Sequence, residues 1–456
     1  MVAMPIKRIF GIGLKAGAVL IAVSGSVQAE SLADALTSAY RNSGLIAQNR
    51  ALLRAADEGV AQSVASLRPV VDYTASTNYS SLSDSLASSF GISASMLLYD
   101  FGGSTIRTDL AKENVLSLRE SLIGIEQDVM LRAVAAYVAV QRDISFVALS
   151  ENNQRVITQE LRAARDRFDL GEITRTDVSS AQARLAATKG NLALAKGNLA
   201  SSREEYRAAI GSYPGSLAGL PKLPATANSL EAARSVARLH HPDMLQAQRG
   251  VVIADLNVAA AAAAMKPSIR GNANLSLDQD GEDTHSLGVT LSGPIYRGGL
   301  LASSYRSAAA QRDASRAVLH LTRLSIDQNV GNAWSRLAVA DAQLQARDQE
   351  IQAASVAFEG VREEASLGAR TTLDVLDAEQ ELLDARSSRV SADSDRYVAV
   401  YTLLETMGLL TVDHLRLGIA TYDPAAYYNA VKTAPTYKVS PQGKKLDSVL
   451  KALGKK

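Results

Sequence analysis

The chain contains no cysteine, and its 456 residues include only one tryptophan and 11 prolines. Disulfides are therefore excluded, and so is a lipid-modified N-terminal cysteine, which leaves stability to packing and assembly. Of the five histidines only His240 and His241 are neighbours, and neither has metal-ligand spacing to another histidine. No Gly-x-Ser-x-Gly turn or phosphate-binding glycine loop is present. Asp100-Phe101-Gly102 spells a kinase triplet without the catalytic-loop motif that would give it meaning, and reads as a strand-to-helix turn. No enzyme, cofactor or metal is expected. Charge of one sign is lacking too: 48 basic residues stand against 47 acidic ones, which gives no electrostatic case for nucleic acid.

Long apolar runs are also scarce. Lys7 and Arg8 precede an apolar stretch from Ile9 to Val23, broken by Lys15, and small residues then lead to Ala29. This order is that of a secretory signal over residues 1–29, with cleavage expected after Ala29. The other reading, an N-terminal membrane anchor, falls short of the roughly 20 apolar residues that a spanning helix needs. Losing Lys7, Arg8 and Lys15 leaves 45 basic residues against 47 acidic ones. Farther on, no run is longer than that from Val258 to Met265, which is mostly alanine. An exported chain of this kind can enter a membrane only as β-strands.

What is present is a repeat. Leu-Gly-Glu-Ile-Thr-Arg-Thr-Asp-Val at 170–178 returns 197 residues later as Leu-Gly-Ala-Arg-Thr-Thr-Leu-Asp-Val at 367–375. Tyr99, Tyr137 and Gly211 meet Tyr296, Trp334 and Gly408 at the same spacing, while Ser31 and Pro69 meet Ser229 and Pro267 one residue later. A period this long exceeds a solenoid unit of about 20 to 50 residues, so each copy is half of one pseudo-symmetric architecture.

Each copy reads as helix, two strands, long helix, helix. A first helix runs from about Leu32 to Leu67 and is closed by Pro69. Apolar residues then alternate with polar ones: Val71, Tyr73, Ala75, Thr77 and Tyr79, then Phe90, Ile92, Ala94, Met96 and Leu98. Ile269, Gly271, Ala273, Leu275 and Leu277, then Leu287, Val289 and Leu291, repeat the pattern. Period two marks strands at about 69–80, 88–99, 267–278 and 285–296, each near the length of a tilted transmembrane strand. Tyr73, Tyr79, Phe90, Tyr99, Phe101 and Tyr296 gather in or beside them in a chain that is 5% aromatic, as interfacial girdles would. The competing reading is a soluble sandwich, for which four strands are few.

Long helices are expected at about 104–168, 173–210, 299–366 and 371–408. Val178, Leu185, Leu192, Leu199 and Tyr206 recur every seven residues, as do Leu376, Leu383, Val390, Tyr397 and Leu404. Such heptads pair helices along their length. Gly171 and Gly368 stand where one helix hands over to the next and are read as hairpin turns. The first repeat then spans 30–210 and the second 229–408, joined by a Pro- and Gly-rich linker at 211–228. After Gly408 the pattern dissolves, and from Val431 seven lysines face one acid, which reads as a solvated tail of the C-terminal segment 409–456.

Four strands cannot close a barrel, and an open sheet in lipid would leave edge N–H and C=O groups without partners at several kcal/mol each. Copies of the chain must complete it. Two would give eight strands, which side chains fill, and three would give twelve, wide enough for a water path; the small polar inward residues and a transport role favour three.

The signal, the doubled order of elements, Tyr99-Asp-Phe-Gly-Gly103 echoed by Tyr296-Arg-Gly-Gly299, and Leu367-Gly-Ala-Arg-Thr-Thr-Leu-Asp-Val-Leu-Asp-Ala378 resemble the TolC family of outer-membrane channel-tunnels over about residues 31–410. The resemblance implies a mainly α fold with a β-barrel part. In it a homotrimer shares a twelve-stranded barrel in outer-membrane lipid and a coiled-coil α-barrel in the periplasm of a Gram-negative bacterium. It further implies an exit duct for type I protein secretion or multidrug efflux, docked to a periplasmic adaptor and an inner-membrane ABC or proton-driven transporter. Asp374 and Asp377 match the family's acidic positions at the periplasmic entrance; Arg370, Thr176 and Asp177 match its gate links. Ala365 departs from the pattern by replacing a tyrosine, which predicts a closed state short of one link.

Three apart, Asp374 and Asp377 share a helix face, and three-fold symmetry would stack them as two acidic rings that favour cations and raise one another's pKa. The bland alternative is a helix N-terminal charge worth a fraction of a kcal/mol. At the level of function the alternative is a coiled-coil surface stalk or adhesin on a small barrel, which needs one rod where this chain has two hairpins. The exported cargo leaves no trace in the sequence.

Overall fold

In the computed structural model the described residues are 29–81, 84–419 and 422–432, with Lys444, Lys445 and Ser448. The expected signal up to Gln28 and most of the lysine-rich tail lie outside them. The first repeat holds α1 (Leu32–Asn42), α2 (Gly44–Ala65), β1 (Val70–Ser80), β2 (Ser85–Tyr99), α3 (Gly103–Asp169) and α4 (Arg175–Ile210). The second holds α5 (Leu230–His240), α6 (Pro242–Ala263), β3 (Ser268–Asp278), β4 (Asp283–Ser292), α7 (Leu300–Ser366) and α8 (Thr372–Thr406); α9 (Pro424–Val431) follows.

The helix expected from Leu32 to Leu67 is two helices. Ser43 is extended and closes α1, while its hydroxyl accepts the Ile46 N–H at 3.2 Å and starts α2. In the second copy His241 breaks the chain at the matching place: its Nδ1 accepts from the Asp243 N–H at 3.2 Å and Pro242 opens α6.

The four strands form one antiparallel sheet in the order β1-β2-β3-β4, so β2 of one repeat pairs with β3 of the other. Register sorts the faces. Tyr73 pairs with Ile92 and Ile92 with Leu275, Ala75 with Phe90 and Phe90 with Leu277, while Ile269 pairs with Leu291. On the other face Asp72, Ser93, Asn274 and Ser286 follow one another across the sheet. The fourth strand stops at Ser292, short of the expected Tyr296, because Pro294 has no N–H to give a ladder.

Both long helices, α3 and α7, have 67 residues, which at about 1.5 Å per residue makes each roughly 100 Å long. Each starts after a left-handed glycine, Gly102 (φ 93°) or Gly299 (φ 85°). Helix α3 pairs along α4 and α7 along α8, and the two hairpins meet through α3 and α8. Between the heptad residues of α4, Ala181, Thr188 and Ala195 are buried, so alanine and threonine let the helix backbones draw close. Sixteen residues of α3 and 13 of α8 are buried but only five each of α4 and α7, which makes the latter two the outer helices.

Helix α3 also contains an 18-residue window with mean hydropathy 1.2, apolar enough for a membrane span and contrary to the expectation that no such stretch exists. Its apolar run from Ala133 to Val140 lies instead in the main core with Leu36, Ile46, Tyr206 and Leu404. Tyr137 is fully buried there and donates to the carbonyls of Glu30 (3.0 Å) and Ala218 (2.7 Å). The linker is thus strapped onto the core, and Tyr397 also donates to its Pro221 carbonyl. Residues after Gly408 pack back as well: Leu410 and Val412 join the main core, and Tyr427 and Val431 bury against Ala61 of α2. Val431, the expected start of the solvated tail, is buried because it closes that apolar cluster.

Candidate functional site

The two hairpin tips are built alike, from the residues of the repeated motif. After α3, Gly171 takes φ 77° and the Glu172 N–H reaches back to the Arg167 carbonyl at 2.9 Å. After α7, Gly368 takes φ 79° and the Ala369 N–H reaches Glu364 at 2.9 Å. Only glycine adopts this left-handed turn at little cost. The next helix then opens with a capping box. Thr174 donates its N–H and hydroxyl to Asp177 Oδ2 at 2.9 and 2.8 Å, and Thr371 does the same to Asp374 Oδ2 at 2.9 and 2.8 Å. The returning bonds, Asp177 N–H to Thr174 Oγ1 and Asp374 N–H to Thr371 Oγ1, measure 3.3 and 3.2 Å.

These bonds alter the expectation for the acidic pair. The Thr371 N–H, then its hydroxyl, then Arg370 hold the Asp374 carboxyl below the usual carboxylate range. Within one chain Asp374 is thus lowered rather than raised by crowding. Asp377 carries an ion pair with Arg184 of α4. Arg370 donates from Nε to Glu364 Oε2 at 2.8 Å, within its own hairpin, and makes no hydrogen bond to Thr176 or Asp177. Thr176 is exposed. Arg370 and Asp177 nevertheless line one cleft of about 300 Å³ between the tips, with Ala365 buried at its wall.

Reading from sequence missed what joins the hairpins just above the tips. Leu376, 1% exposed, packs with Ile157, Leu161, Ala164 and Ala181 of the other hairpin. Arg362 lies 3.9 Å from Glu160, and Arg184 meets Asp377. The available signal was position: Arg184 and Asp377 adjoin the heptad residues Leu185 and Leu376, where charges that pair across a coiled coil belong.

At the far end the sheet presents exposed apolar side chains, among them Tyr73 (78%), Leu287 (88%) and Val289 (70%). Every residue of β1 is exposed, and β1 and β4 each keep an unpaired edge.

The family described as outer membrane efflux protein matches residues 35–212 and again 233–409, one match for each repeat. The outer membrane efflux protein BepC of Brucella suis biovar 1 (strain 1330) is 33% identical over 413 residues, covering 88% of this chain and 91% of that protein. The outer membrane protein TolC of Vibrio cholerae (El Tor Inaba N16961) is 26% identical over 413 residues, covering 86% and 94%. The crystal structure of the Campylobacter jejuni CmeC outer membrane channel shares the fold with a TM-score of 0.73 at 15% identity, over 95% of this chain and 98% of that one. With both halves matched and the two-faced sheet and paired hairpins in place, the chain belongs to the outer membrane efflux protein family of TolC-type export channels of the Gram-negative outer membrane.

Proposed function

We propose that three copies close a twelve-stranded barrel in outer-membrane lipid and a continuous α-helical barrel beneath it. Together they form the passive exit duct of a tripartite export system. The observation that carries this reading is that the chain is open along matching edges in both layers. The sheet ends in β1 and β4 and the helical layer in α4 and α7, so each new copy continues both at once. Unpaired strand edges are untenable in lipid, and closure removes them. Between α7 and α8 an apolar groove of about 460 Å³, lined by Ala333, Val339, Ala340 and Val398, offers a seat for a neighbouring copy's outer helix. The apolar face of the sheet would meet lipid and the serine- and asparagine-rich face the water path.

In this arrangement residues 30–210 and 229–408 each supply one hairpin, and Gly171 and Gly368 lie at the periplasmic end. Exposed Leu170 and Leu367 at those turns give a periplasmic adaptor an apolar foothold, through which an inner-membrane ABC or proton-driven transporter would deliver cargo. Asp374 would line the entrance. Arg370, with Thr176 and Asp177, would act there by linking neighbouring coils. Mass measurement of the detergent-solubilised protein together with planar-bilayer recording tests the reading. A trimer that conducts ions is expected, and a conducting monomer would overturn it.

A further inference from the structure

We infer that Arg184 and Asp377 form a latch that holds the two helical hairpins of each chain together and restrains opening of the periplasmic end. The inference rests on the channel reading above and names how its entrance is held. Among the described residues, the bond from Arg184 Nη2 to Asp377 Oδ1 is the only side-chain hydrogen bond between the α3–α4 and α7–α8 hairpins. It joins residues 193 apart in sequence. A second ion pair between them, Arg362 with Glu160, is looser at 3.9 Å and makes no hydrogen bond.

Position makes the bond a latch rather than a surface ornament. Asp377 follows Leu376, whose side chain is the contribution of α8 to the apolar cluster with Ile157, Leu161 and Ala181. Arg184 sits one turn beyond Ala181 in the same cluster, so the ion pair borders the contact that must part if the hairpins separate. Its guanidinium side chain is 29% exposed against 57% for the carboxylate. Separation would therefore leave a half-covered arginine without its acceptor.

The residues at the tips themselves cannot do this within one chain. Thr174 with Asp177 and Thr371 with Asp374 are each closed into a cap of their own helix. Arg370 is tied to Glu364 six residues earlier, on the same hairpin. Pulling the hairpins apart breaks none of these bonds. It breaks the one between α4 and α8. Asp377 is thus partly neutralised, and Asp374 carries more of the negative charge at the entrance.

The test is a double-mutant cycle read by the conductance of purified protein in planar bilayers. Arg184→Ser and Asp377→Ser should each raise the open fraction by the same factor, roughly two- to fivefold for a pair this exposed. The double substitution should open it no further than either alone. Exchanging the charges, Arg184→Asp with Asp377→Arg, should return it to the parental level. Additive effects, an unchanged Arg184→Ser channel or no recovery on charge exchange would each overturn the latch. The cysteine-free background allows a second readout. Arg184→Cys with Asp377→Cys, bridged by a short bifunctional thiosulfonate, should lock the pore at low conductance until a reductant is added. Failure of the bridge to form within one chain would deny the contact itself, whether or not the protein conducts. A parental protein that never conducts, even though the double-cysteine variant bridges, would overturn the channel reading, and the latch with it.

Discussion

The two repeats use the same elements but join them by different physics. Tyr40 and Met130 of the first repeat fall where Arg238 and Asp327 stand in the second. In the first copy both are buried in the main apolar core; in the second, Arg238 grips Asp327 through Nε at 2.8 Å and Nη2 at 3.0 Å. Asp57 and Arg119 fall on Asp255 and Arg316 in the same way. Asp57 is wholly buried, and Arg119 donates to the Pro424 carbonyl and faces the Tyr428 ring in the C-terminal segment. Asp255 and Arg316 remain at the surface as an ion pair at 3.4 Å. Duplication preserved the backbone plan while the C-terminal segment sealed one copy and left the other open. Next to the C-terminal segment the first repeat is therefore buried where the second stays at the surface.

The sharpest way to break this comparison is to truncate matching positions. Met130→Ala removes a fully buried side chain and should cost about 2 to 5 kcal/mol. Asp327→Ala, its counterpart, removes a bidentate partner and should cost about 1.5 to 3 kcal/mol. Thermal unfolding of the detergent-solubilised protein ranks the two. A larger loss for Asp327→Ala would mean that the second copy is the one held more firmly.

Acid offers the next test, because burial has put carboxyls where the first repeat meets its covers. Burial pushes Asp57 up to about 6, against the opposing pull of Arg119 and with a push from Glu58. Burial, then Asp128 and Asp243, push Glu405 up to about 7 at the seam of α3, α6 and α8. An acid whose pKa is raised by folding stabilises the fold while protonated, so this contribution is complete below about pH 4 and is lost as pH rises through 6 to 7. Stability should therefore decline between about pH 4.5 and 7.5. Asp57→Asn should flatten the lower part of the decline and Glu405→Gln the upper part, as measured by melting temperature against pH. A profile unchanged in both variants would remove these carboxyls from the account.

How much of this was legible in the sequence depends on the range of the interaction. Period-two alternation gave up the two-faced sheet because a strand sorts its side chains locally, and Tyr73, Ile92 and Leu275 do share a face. The glycine of the repeated Leu-Gly was visible as a turn for the same reason, whereas the capping boxes of Thr174 with Asp177 and Thr371 with Asp374, though equally local, were not read from the sequence. The break at Ser43 was missed because a serine is unremarkable in a helix until its hydroxyl is seen capping Ile46. Arg184 was hidden because its partner is 193 residues away. Residues beyond Gly408 carry no periodicity, and only packing shows Leu410 and Tyr427 to be buried.

The smallest expected effect comes from the place where the repeats differ least. Thr174→Ala and Thr371→Ala each remove the hydroxyl of a capping box built to nearly the same distances, and loss of an N-cap threonine costs about 1 kcal/mol. If capping is all that Asp177 and Asp374 do, the two substitutions should lower the melting temperature equally and leave cation selectivity in planar bilayers untouched. If Asp374 also faces the permeating ions, Thr371→Ala should alter selectivity where Thr174→Ala does not, because the carboxylate keeps only the backbone N–H bond and loses the hydroxyl bond that helps hold it against its own helix. Equal thermal losses with unequal selectivity would place Asp374 in the entrance on evidence independent of its resemblance to the family. Equal effects in both measurements would leave it a helix cap.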